Sequence, residues 1–433
     1  MGASCATGPG MKHWRYLIQQ LAIACAITAA LALTAAAAVA QGTVVAVGSG
    51  VRDDNDAVWS RIVELAGGAG SRFAVFTAPS GEPDASAAAI IGSLARRGAV
   101  GEHIRVGPRI AGQDQAAAVR DPAWVARVDG AQGVYFSGGN QARLIDLLRP
   151  GGQDSPLLDA VMRLFARGGV VAGGSAGAAV MSEVMFRDPP QDVLALMKGT
   201  LREGADIDRG FGFVRHDVVV DQHLIRRGRI GRLLKVMQQK DKPLGLGLEE
   251  HTAVVVRGDE VEVVGDRGVL VVDFTNATRD ANLDAFNVRG ARLSLLDHGD
   301  RYNLRTRRLT PAAGKLPGQL KVALPDFAGR PEVETYGGAF FNDMLADNLI
   351  VTALSRLVDQ GHRQVLGLSF AARPAATDAQ PALGFEWRLA LTPDSTAYLL
   401  RPERYTIGEI ELDIVPVSMQ LPLYTPYRHS VSR

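Results

Sequence analysis

Cysteine, aromatic residues and net charge are all scarce in this 433-residue chain, and each scarcity excludes a class of protein. The two cysteines, Cys5 and Cys25, lie in an N-terminal segment that we expect to be removed, so the mature chain would have no disulfide, no thiolate nucleophile and no cysteine-ligated metal. Aromatic residues make up 6% against 48 glycines, which favours a turn-rich α/β protein over an all-β sandwich. A formal charge of +1 gives no reason to expect a nucleic-acid partner.

The N-terminus has the composition of an export signal. A short basic patch that includes Lys12 and Arg15 precedes a long uncharged, Ala- and Leu-rich run over residues 16–50. Within this run, Ala38-Val39-Ala40 has the small-x-small form of a signal-peptidase site. We therefore expect cleavage near Ala40 and a secreted or periplasmic protein without stable membrane association. The alternative is an uncleaved membrane anchor, since the run approaches spanning length.

Apolar strand-like runs alternate with amphipathic helix-like segments from Gln41 onward. Repeated strand–helix units of this length need parallel crossovers, so we expect an α/β fold with an open, mostly parallel sheet flanked by helices. Ligand sites in such sheets gather at the carboxyl ends of the strands. The predicted strands are 43–47, 72–77, 103–106, 133–136, the run from 170, 216–220, 244–248, 253–256, and the hairpin strands 260–264 and 269–272; the predicted helices are 56–65, 85–97, 115–128, 141–148, 157–166 and 229–238.

The composition and the hydrophobic pattern of the sequence change after about Asn282. Residues 305–331 are rich in Arg, Pro, Gly and Lys without a sustained period, which is typical of a linker or a long surface segment. A helix at 339–357 and four later strand-like runs then indicate a smaller α+β region. We accordingly expect a signal peptide at 1–40, a catalytic domain at 41–281, and a linker with an accessory α+β domain at 282–433.

A cluster of small residues with one serine at its centre ends the apolar run that begins at Val170. The segment Gly173-Gly174-Ser175-Ala176-Gly177 has the form of a nucleophile elbow, in which a serine sits at a tight strand-to-helix turn and the next backbone N–H faces a forming oxyanion. A glycine-rich helix start with a chance serine would look similar. The motif therefore depends on support from other parts of the chain.

A serine nucleophile needs a base, and the base needs an orienting acid. His223 follows an apolar strand and would emerge at the same sheet edge as Ser175; His251 is its competitor for the same reason. Glu249 and Glu250 follow the strand 244–248, and adjacent side chains in extended backbone point to opposite faces, so only one can face the site. The order Ser, His, Glu differs from the Ser, acid, His order of α/β-hydrolases.

Four arginines follow His223, and they suggest an anion-binding role. A solvated helix face is the ordinary interpretation of such a cluster, which comprises Arg226, Arg227, Arg229 and Arg232. Basic residues at a helix N-terminus oppose the macrodipole, however, which favours recognition of a ligand such as a carboxylate. A metal site built from Asp221, His223, His251 and Glu249 has no supporting ligand spacing, and we predict neither metal nor cofactor.

Three motifs together resemble those of the cyanophycinases, in particular the extracellular type. They are Gly138-Gly139-Asn140-Gln141, Gly173-Gly174-Ser175-Ala176-Gly177-Ala178, and Asp221-Gln222-His223 with the arginines at 227, 229 and 232. The cyanophycinases belong with the dipeptidase E-like serine peptidases, whose fold is similar to that of class I glutamine amidotransferases. The resemblance spans roughly residues 43–272.

The resemblance implies a role for each matching residue. Ser175 would be the nucleophile, His223 the base and Glu250 the orienting acid, matching the second acid of the family's Gly-(Ile/Leu)-Gly-(Ile/Leu)-Asp-Glu stretch. Glu249 stands where Asp is usual, which leaves open which carboxylate serves. The implied oxyanion hole consists of the N–H groups of Gly139 and Ala176. The positions matching the family's substrate pocket are Gln141, Asp221, Gln222, Arg227, Arg229 and Arg232.

The substrate implied by the resemblance is cyanophycin, a poly-aspartate backbone with arginine on each β-carboxyl, cleaved through an acyl-enzyme to β-Asp-Arg dipeptides; short acidic or β-aspartyl peptides are related ligands. The alternatives are a related exopeptidase for aspartyl or isoaspartyl dipeptides, a non-catalytic secreted binding protein on the same fold, and an α/β-hydrolase esterase, against which the residue order argues. The sequence leaves the oligomeric state open, a homodimer included.

Overall fold

The computed structural model describes residues 42–317, 339–359, 362–401 and 404–423, together with Gly2. The expected signal peptide, its cleavage position near Ala40 and both cysteines lie outside the described residues, as do residues 318–331 of the expected linker. The described residues from Gly42 onward belong to one compact unit. Within the described ranges, every helix is too short or too polar to cross a bilayer.

The strands and helices of the described ranges are numbered here in chain order. The strands are β1 (Thr43–Val47), β2 (Arg72–Phe76), β3 (Val100–Ile104), β4 (Gly133–Phe136), β5 (Val170–Gly174), β6 (Val184–Phe186), β7 (Ile207–Arg209), β8 (Val218–Gln222), β9 (Leu244–Leu248), β10 (Thr252–Arg257), β11 (Glu260–Gly265), β12 (Val269–Asp273), β13 (Val288–Leu296), β14 (Arg301–Asn303), β15 (Arg308–Thr310), β16 (Leu316–Pro317), β17 (Phe340–Phe341), β18 (Gln364–Ser369), β19 (Leu383–Ala390), β20 (Thr396–Arg401) and β21 (Arg404–Ser418). The α-helices are α1 (Asp56–Leu65), α2 (Pro83–Ala95), α3 (Gln115–Ala118), α4 (Pro122–Asp129), α5 (Gln141–Leu148), α6 (Pro156–Ala166), α7 (Ala176–Ala179), α8 (Val193–Lys198), α9 (Ile230–Gln239) and α10 (Leu349–Asp359).

The first sheet contains the parallel core that the strand–helix alternation predicts. Its strand order is β15-β14-β11-β10-β1-β5-β4-β2-β3, in which the strands from β1 to β3 run parallel and the remaining four add on antiparallel. The central strands β1 and β5 are buried along their whole length, as expected for strands covered on both faces. The expected α/β class is thus confirmed.

Local sequence explains where α1 begins and which face it buries. Asn55 caps the helix, because its side chain accepts a hydrogen bond from the Val58 N–H at 3.2 Å. Val58, Trp59 and Ile62 recur at helical spacing and are buried in a cluster with β1 residues. The same combination of cap and apolar stripe recurs in α6, where Ser155 caps the helix.

Most of the described strands after residue 217 belong to a second sheet, which the sequence did not indicate. Its order is β17-β18-β19-β21-β13-β12-β9-β8, with β8 and β9 parallel to each other. The expected hairpin strands 260–264 and 269–272 both exist, but β11 pairs with β10 in the first sheet and β12 with β9 in the second. Since any apolar strand can pair with several neighbours, a local pattern cannot decide which sheet a strand joins.

The second sheet continues across the domain boundary expected near Asn282. β12, on one side of that position, pairs with β13 on the other, and β13 pairs in turn with β21. One hydrophobic cluster includes residues from both sides, among them Leu270, Leu293 and Leu412. The C-terminal strands therefore extend the second sheet. Residues 305–317 of the expected linker also contribute the strands β15 and β16.

Three other predicted elements are wrong in their extent. The expected helix 115–128 is two helices, because Pro122 starts α4 and Asp121 caps it, accepting from the Ala123 N–H. The third strand spans Val100–Ile104, so it begins three residues before its predicted start at 103. The expected helix 339–357 begins only at Leu349, since Phe340–Phe341 pairs with β18 instead.

Candidate active site

Ser175 lies on a sharp turn between β5 and α7. Its φ and ψ are 53° and −107°, a backbone conformation that residues other than glycine rarely adopt and that holds the side chain away from the strand. Gly177 allows this turn to pack closely, because a Cβ there would lie 2.3 Å from the Phe136 carbonyl oxygen. The turn has the geometry of a nucleophile elbow.

Three side chains from the two sheets meet in one hydrogen-bonded line. The Ser175 Oγ lies 3.0 Å from the His223 Nε2, and the His223 Nδ1 lies 2.9 Å from Oε1 of Glu250. Ser175 follows β5 of the first sheet, whereas His223 and Glu250 follow the parallel strands β8 and β9 of the second. An ionised carboxylate accepts a hydrogen bond from Nδ1–H, which leaves Nε2 unprotonated and able to accept the serine proton.

The structure separates the two adjacent glutamates. Glu250 reaches His223, and its other carboxylate oxygen lies 3.2 Å from a guanidinium nitrogen of Arg226. Glu249 is 1% exposed and points the other way, accepting hydrogen bonds from the backbone N–H groups of Ile225 and Arg226 at 2.8 and 2.9 Å. Glu249 therefore holds the turn after His223, a residue that itself has a φ of 53°.

His251 does not join this line. It follows Glu250 at the end of the same turn and has a φ of 60°. Its backbone N–H donates to the Ser49 carbonyl, and its Nδ1 is buried without a partner in the described part of the chain. Of the two histidines, it is the preferred candidate His223, and not its competitor His251, that lies in the hydrogen-bonded line.

Electrostatics keep the imidazole neutral and the carboxylate ionised. Burial, together with the charges of Arg227 and Arg229, lowers the pKa of His223 to about 4, although the hydrogen bond to Glu250 acts to raise it. Burial alone would raise the pKa of Glu250, but the hydrogen bond with His223 and the charge of Arg226 hold it below its ordinary value. A neutral imidazole next to a serine hydroxyl can serve as a general base at neutral pH.

Arg227→Gln should move the acid limb of the pH–rate profile. A base of low pKa loses activity as the pH falls through that pKa, and the Arg227 cation helps to hold the pKa of His223 down. Removing the cation therefore raises the pKa of His223, and we expect the acid limb of kcat/KM to move to higher pH by about half a unit. Arg305→Gln, at an exposed arginine that pairs with Asp259, is the control. A limb that stays in place or moves to lower pH would contradict this electrostatic role.

Two backbone N–H groups lie close to Ser175. A Cβ on Gly138 would be 3.4 Å from the Ser175 Cβ, so the Gly138-Gly139 segment runs directly beside the serine. Gly139 has a φ of 135°, and a Cβ there would lie 2.1 Å from the Pro79 carbonyl oxygen, so this position requires glycine. Within the described ranges, the N–H groups of Gly139 and Ala176 have no backbone hydrogen-bond partner. Both can therefore stabilise a developing oxyanion.

Most of the residues expected in a substrate pocket are engaged with one another. Asp221 and Arg232 form a bidentate pair at 2.7 and 2.6 Å, with side chains only 1% and 4% exposed. Arg229 is buried and donates to both the backbone and the side-chain oxygen of Gln222, each at 2.9 Å. Burial, with the charge of Arg232, lowers the pKa of Arg229 to about 10, which still leaves it charged at neutral pH.

The remaining two expected pocket residues differ in their exposure. Gln141 is half-buried, and its side-chain amide donates to the Phe186 carbonyl at 2.9 Å. Arg227 is exposed. Only the exposed arginines of the cluster, Arg226 and Arg227, therefore present their charge to solvent, while Arg229 and Arg232 are buried.

Asp221→Asn should destabilise the fold strongly. The substitution leaves the Arg232 charge buried with no carboxylate, a change that typically costs about 3–5 kcal/mol of unfolding free energy. Urea denaturation followed by circular dichroism measures this loss. Asp54→Asn, at an exposed aspartate paired with Arg52, should change stability by less than about 0.5 kcal/mol. A loss below about 1 kcal/mol for Asp221→Asn would mean that the buried pair contributes little to the fold.

A cavity of about 710 Å³ opens beside Ser175, and much of its wall was missed by sequence reasoning. One part of the wall is formed by Ser175, Gly138 and Gly139, and another by Asp53, Ser93 and Arg96. A signal was present, because the charged run that contains Asp53 follows the carboxyl end of β1, where ligand sites gather. Among the described residues, no group of three or more His, Cys, Asp or Glu side chains is placed to hold a metal ion.

Comparison with known proteins identifies similar sequences and structures. Residues 111–264 match the model of peptidase family S51. Among curated proteins, the cyanophycinase of Geminocystis herdmanii is 31% identical over 265 residues, which are 59% of this chain and 90% of that protein. The cyanophycinase of Trichormus variabilis is 33% identical over 200 residues, 44% of this chain and 63% of that protein. The chain thus spans nine-tenths of the first relative and somewhat less than two thirds of the second.

Two solved structures are also similar. A peptidase from an acI-B1 Actinobacterium has a TM-score of 0.45 and 21% identity, covering 61% of this chain and 97% of that one. A putative peptidase E protein from Listeria monocytogenes has a TM-score of 0.36 and 16% identity, covering 52% of this chain and 100% of that one.

Proposed function

We propose that this chain, which belongs to peptidase family S51 and is a serine-type hydrolase, degrades cyanophycin to β-Asp-Arg dipeptides outside the cytoplasm. The observation that carries the proposal is the hydrogen-bonded line of Ser175, His223 and Glu250. The substrate is inferred from the relatives, which are cyanophycinases. Secretion is inferred from the composition of residues 1–40 and from the substrate, since an insoluble polymer from another cell has to be digested outside the cell.

The geometry supports an acyl-enzyme mechanism. The Ser175 Oγ attacks the scissile carbonyl carbon while the His223 Nε2 takes the serine proton, and Glu250 stabilises the imidazolium that forms. The N–H groups of Gly139 and Ala176 bind the oxyanion of the tetrahedral intermediate. The imidazolium then gives its proton to the leaving amine, which yields an acyl-Ser175. Attack by water, with His223 again as base, releases the acid and restores the serine.

The exposed arginines suit the charge of this substrate. Each arginyl branch of cyanophycin carries a free carboxylate, and Arg226 and Arg227 present guanidinium groups close to His223. Arginine binds carboxylates well because its N–H groups match the two carboxylate oxygens. These two residues can therefore bind branch carboxylates on the His223 side of the scissile bond.

A second candidate function is favoured by the buried arginines. Arg229 donates hydrogen bonds to Gln222 and Arg232 to Asp221. Fewer arginine N–H groups therefore remain to bind a polymer than if all four arginines of the cluster were free. An exopeptidase that acts on aspartyl or isoaspartyl dipeptides needs fewer cationic contacts. Such an enzyme would use the same three residues for catalysis.

Clearance of insoluble cyanophycin tests the proposal directly. The purified chain is incubated with the polymer, turbidity is followed, and the soluble product is identified by mass spectrometry. Clearing with β-Asp-Arg as the product supports the proposed function. Intact polymer together with hydrolysis of isoaspartyl dipeptides supports the second candidate. Failure with both substrates, and failure of Ser175 to react with a serine-directed phosphonate, would favour a binding protein without catalytic activity.

The secretion proposal has its own test. N-terminal sequencing of the chain recovered from outside the expressing cells should find Gln41 or a close neighbour as the first residue. A chain that retains residues 1–40 and fractionates with the membrane would indicate an anchor.

A further inference from the structure

The cavity beside Ser175 has charged side chains in its wall that take no part in the line of Ser175, His223 and Glu250. Asp53 and Arg96 lie in this wall and form an ion pair with each other, with side chains 57% and 52% exposed. The buried hydroxyl of Ser93 donates to the Asp53 carboxylate at 2.7 Å and accepts from a guanidinium nitrogen of Arg96 at 3.3 Å. Asp53, Ser93 and Arg96 are called the charged cluster below.

The backbone around the charged cluster is held in place while its two charges remain accessible. Arg97 donates to the Asp53 carbonyl oxygen at 2.8 Å and pairs with Asp56 at 2.5 Å. This anchoring fixes the segment after β1 against the end of α2. An exposed ion pair contributes little to the stability of a fold, because solvent screens its charges. Asp53 and Arg96 can therefore turn from each other towards a ligand at little cost to the fold.

Apolar side chains form part of the wall between Ser175 and the charged cluster, alongside serine hydroxyls. Trp59 and Tyr135 stack there with ring centroids 5.3 Å apart and an angle of 23° between the rings, and Ile90 lines the same space. Such a wall suits a side chain that has an apolar stem and a charged head. A carboxylate and a guanidinium at the far end then recognise a ligand that carries both charges.

A second depression adjoins the charged cluster, and its lining has equal numbers of positively and negatively charged side chains. It encloses about 590 Å³ and shares Asp53 and Arg96 with the first cavity. Its lining consists of three arginines and three aspartates, namely Arg52, Arg96, Arg97, Asp53, Asp54 and Asp56. A ligand with a strong charge of one sign would be repelled by half of this surface. A polymer that repeats one carboxylate and one guanidinium matches it.

We propose that the charged cluster is a binding subsite for an arginyl branch of the polymer, with Asp53 binding the branch guanidinium and Arg96 the branch α-carboxylate. This inference rests on the proposed function. On binding, the ion pair between Asp53 and Arg96 is replaced by two ion pairs to the ligand. The stem of the branch lies along Trp59 and Ile90, and the next repeats of the polymer extend into the second depression.

Single charge removals test the subsite. Asp53→Asn and Arg96→Gln should each lower kcat/KM for cyanophycin about tenfold, mainly through a higher KM, because a charge-assisted contact to the substrate is lost. The rate at which a small uncharged phosphonate labels Ser175 should stay at the parental value, since neither residue touches the reacting atoms. Arg163→Gln is the matched control, because Arg163 is also 52% exposed and paired, with Asp129, next to the opposite end of β4. It should leave both rates unchanged.

A charge swap separates ligand binding from a structural role. The double variant D53R/R96D restores an ion pair but reverses the positions of its charges. If the pair serves only the fold, the double variant recovers parental kcat/KM, and the subsite is overturned. Continued loss of cyanophycin cleavage with normal phosphonate labelling supports the subsite.

The outcomes also separate this inference from the proposed function. A parent chain that clears cyanophycin no faster than D53N and R96Q do overturns the subsite alone. A parent chain that does not clear cyanophycin overturns the proposed function and the subsite with it. As a further measurement, β-Asp-Arg should bind to the S175A variant about tenfold more tightly than to S175A/R96Q, as measured by calorimetry; equal affinities would overturn the contact assigned to Arg96.

Discussion

Ser175→Ala is expected to lower kcat by about 10⁶-fold and to leave the fold intact. The Ser175 hydroxyl is the only group that the hydrogen-bonded line through His223 can activate in the described part of the chain, and its loss leaves transition-state binding without a nucleophile. Turnover of cyanophycin by the purified variant measures the effect. The circular dichroism spectrum and the urea midpoint should match those of the parent, because the substitution removes only the side-chain hydroxyl.

Ser49→Ala is the matched control for this variant. Ser49 lines the same cavity and is 8% exposed, but it lies outside the hydrogen-bonded line of Ser175, His223 and Glu250. Its replacement should change kcat by no more than a few fold. Parental activity in Ser175→Ala would mean that another group is the nucleophile, and equal losses in both variants would point to general disruption of the cavity.

Glu250→Gln should lower kcat by about 10⁴-fold with little loss of stability. The amide can donate an N–H to His223, and this favours the wrong imidazole tautomer. The substitution also removes the negative charge that stabilises the imidazolium. The expected loss lies in kcat, and the pH–rate profile should change along with it, since the pKa of His223 depends on the carboxylate. Steady-state kinetics over a range of pH values measures both.

Glu249→Gln is the contrasting variant, because the two glutamates are adjacent but make different contacts. Glu249 is buried and accepts from two backbone N–H groups, so its replacement should lower the unfolding free energy by about 1–3 kcal/mol while kcat changes far less. If instead Glu249→Gln lost 10⁴-fold in kcat and Glu250→Gln kept its activity, the roles of the two carboxylates would be reversed.

Local patterns in the sequence, taken together, predicted Ser175 and His223 as partners. Ser175 and His223 each follow an apolar strand, and the carboxyl ends of parallel strands are where ligand sites gather. The elbow around Ser175 was recognisable because it needs small residues at fixed positions, such as Gly177. The choice between Glu249 and Glu250 required coordinates, since the direction of a side chain after a strand depends on the turn it enters.

Contacts between distant segments could not be inferred from one sequence. Asp221 and Arg232 lie eleven residues apart, at the end of a strand and in the first turns of a helix, and nothing local shows that they pair. The same holds for Asp53, which meets Arg96 only because α2 ends beside the segment after β1. The N-terminal part of the expected helix 339–357 was wrong for a similar reason: pairing of Phe340–Phe341 with β18 overrides local helical preference.

The pairing of β13 with β12 also determines where this chain can be shortened. β12 is buried and almost wholly apolar. In the described part of the chain, the edge of β12 that faces away from β9 pairs with β13, which comes after residue 282. A fragment that stopped at Asn282 would leave that edge open, and an open apolar edge is a template for strand addition from a second molecule. Such a fragment would keep Ser175, His223 and Glu250 but would be prone to aggregation. The C-terminal strands thus protect the edge of β12, and a shortened chain intended to stay soluble has to include them.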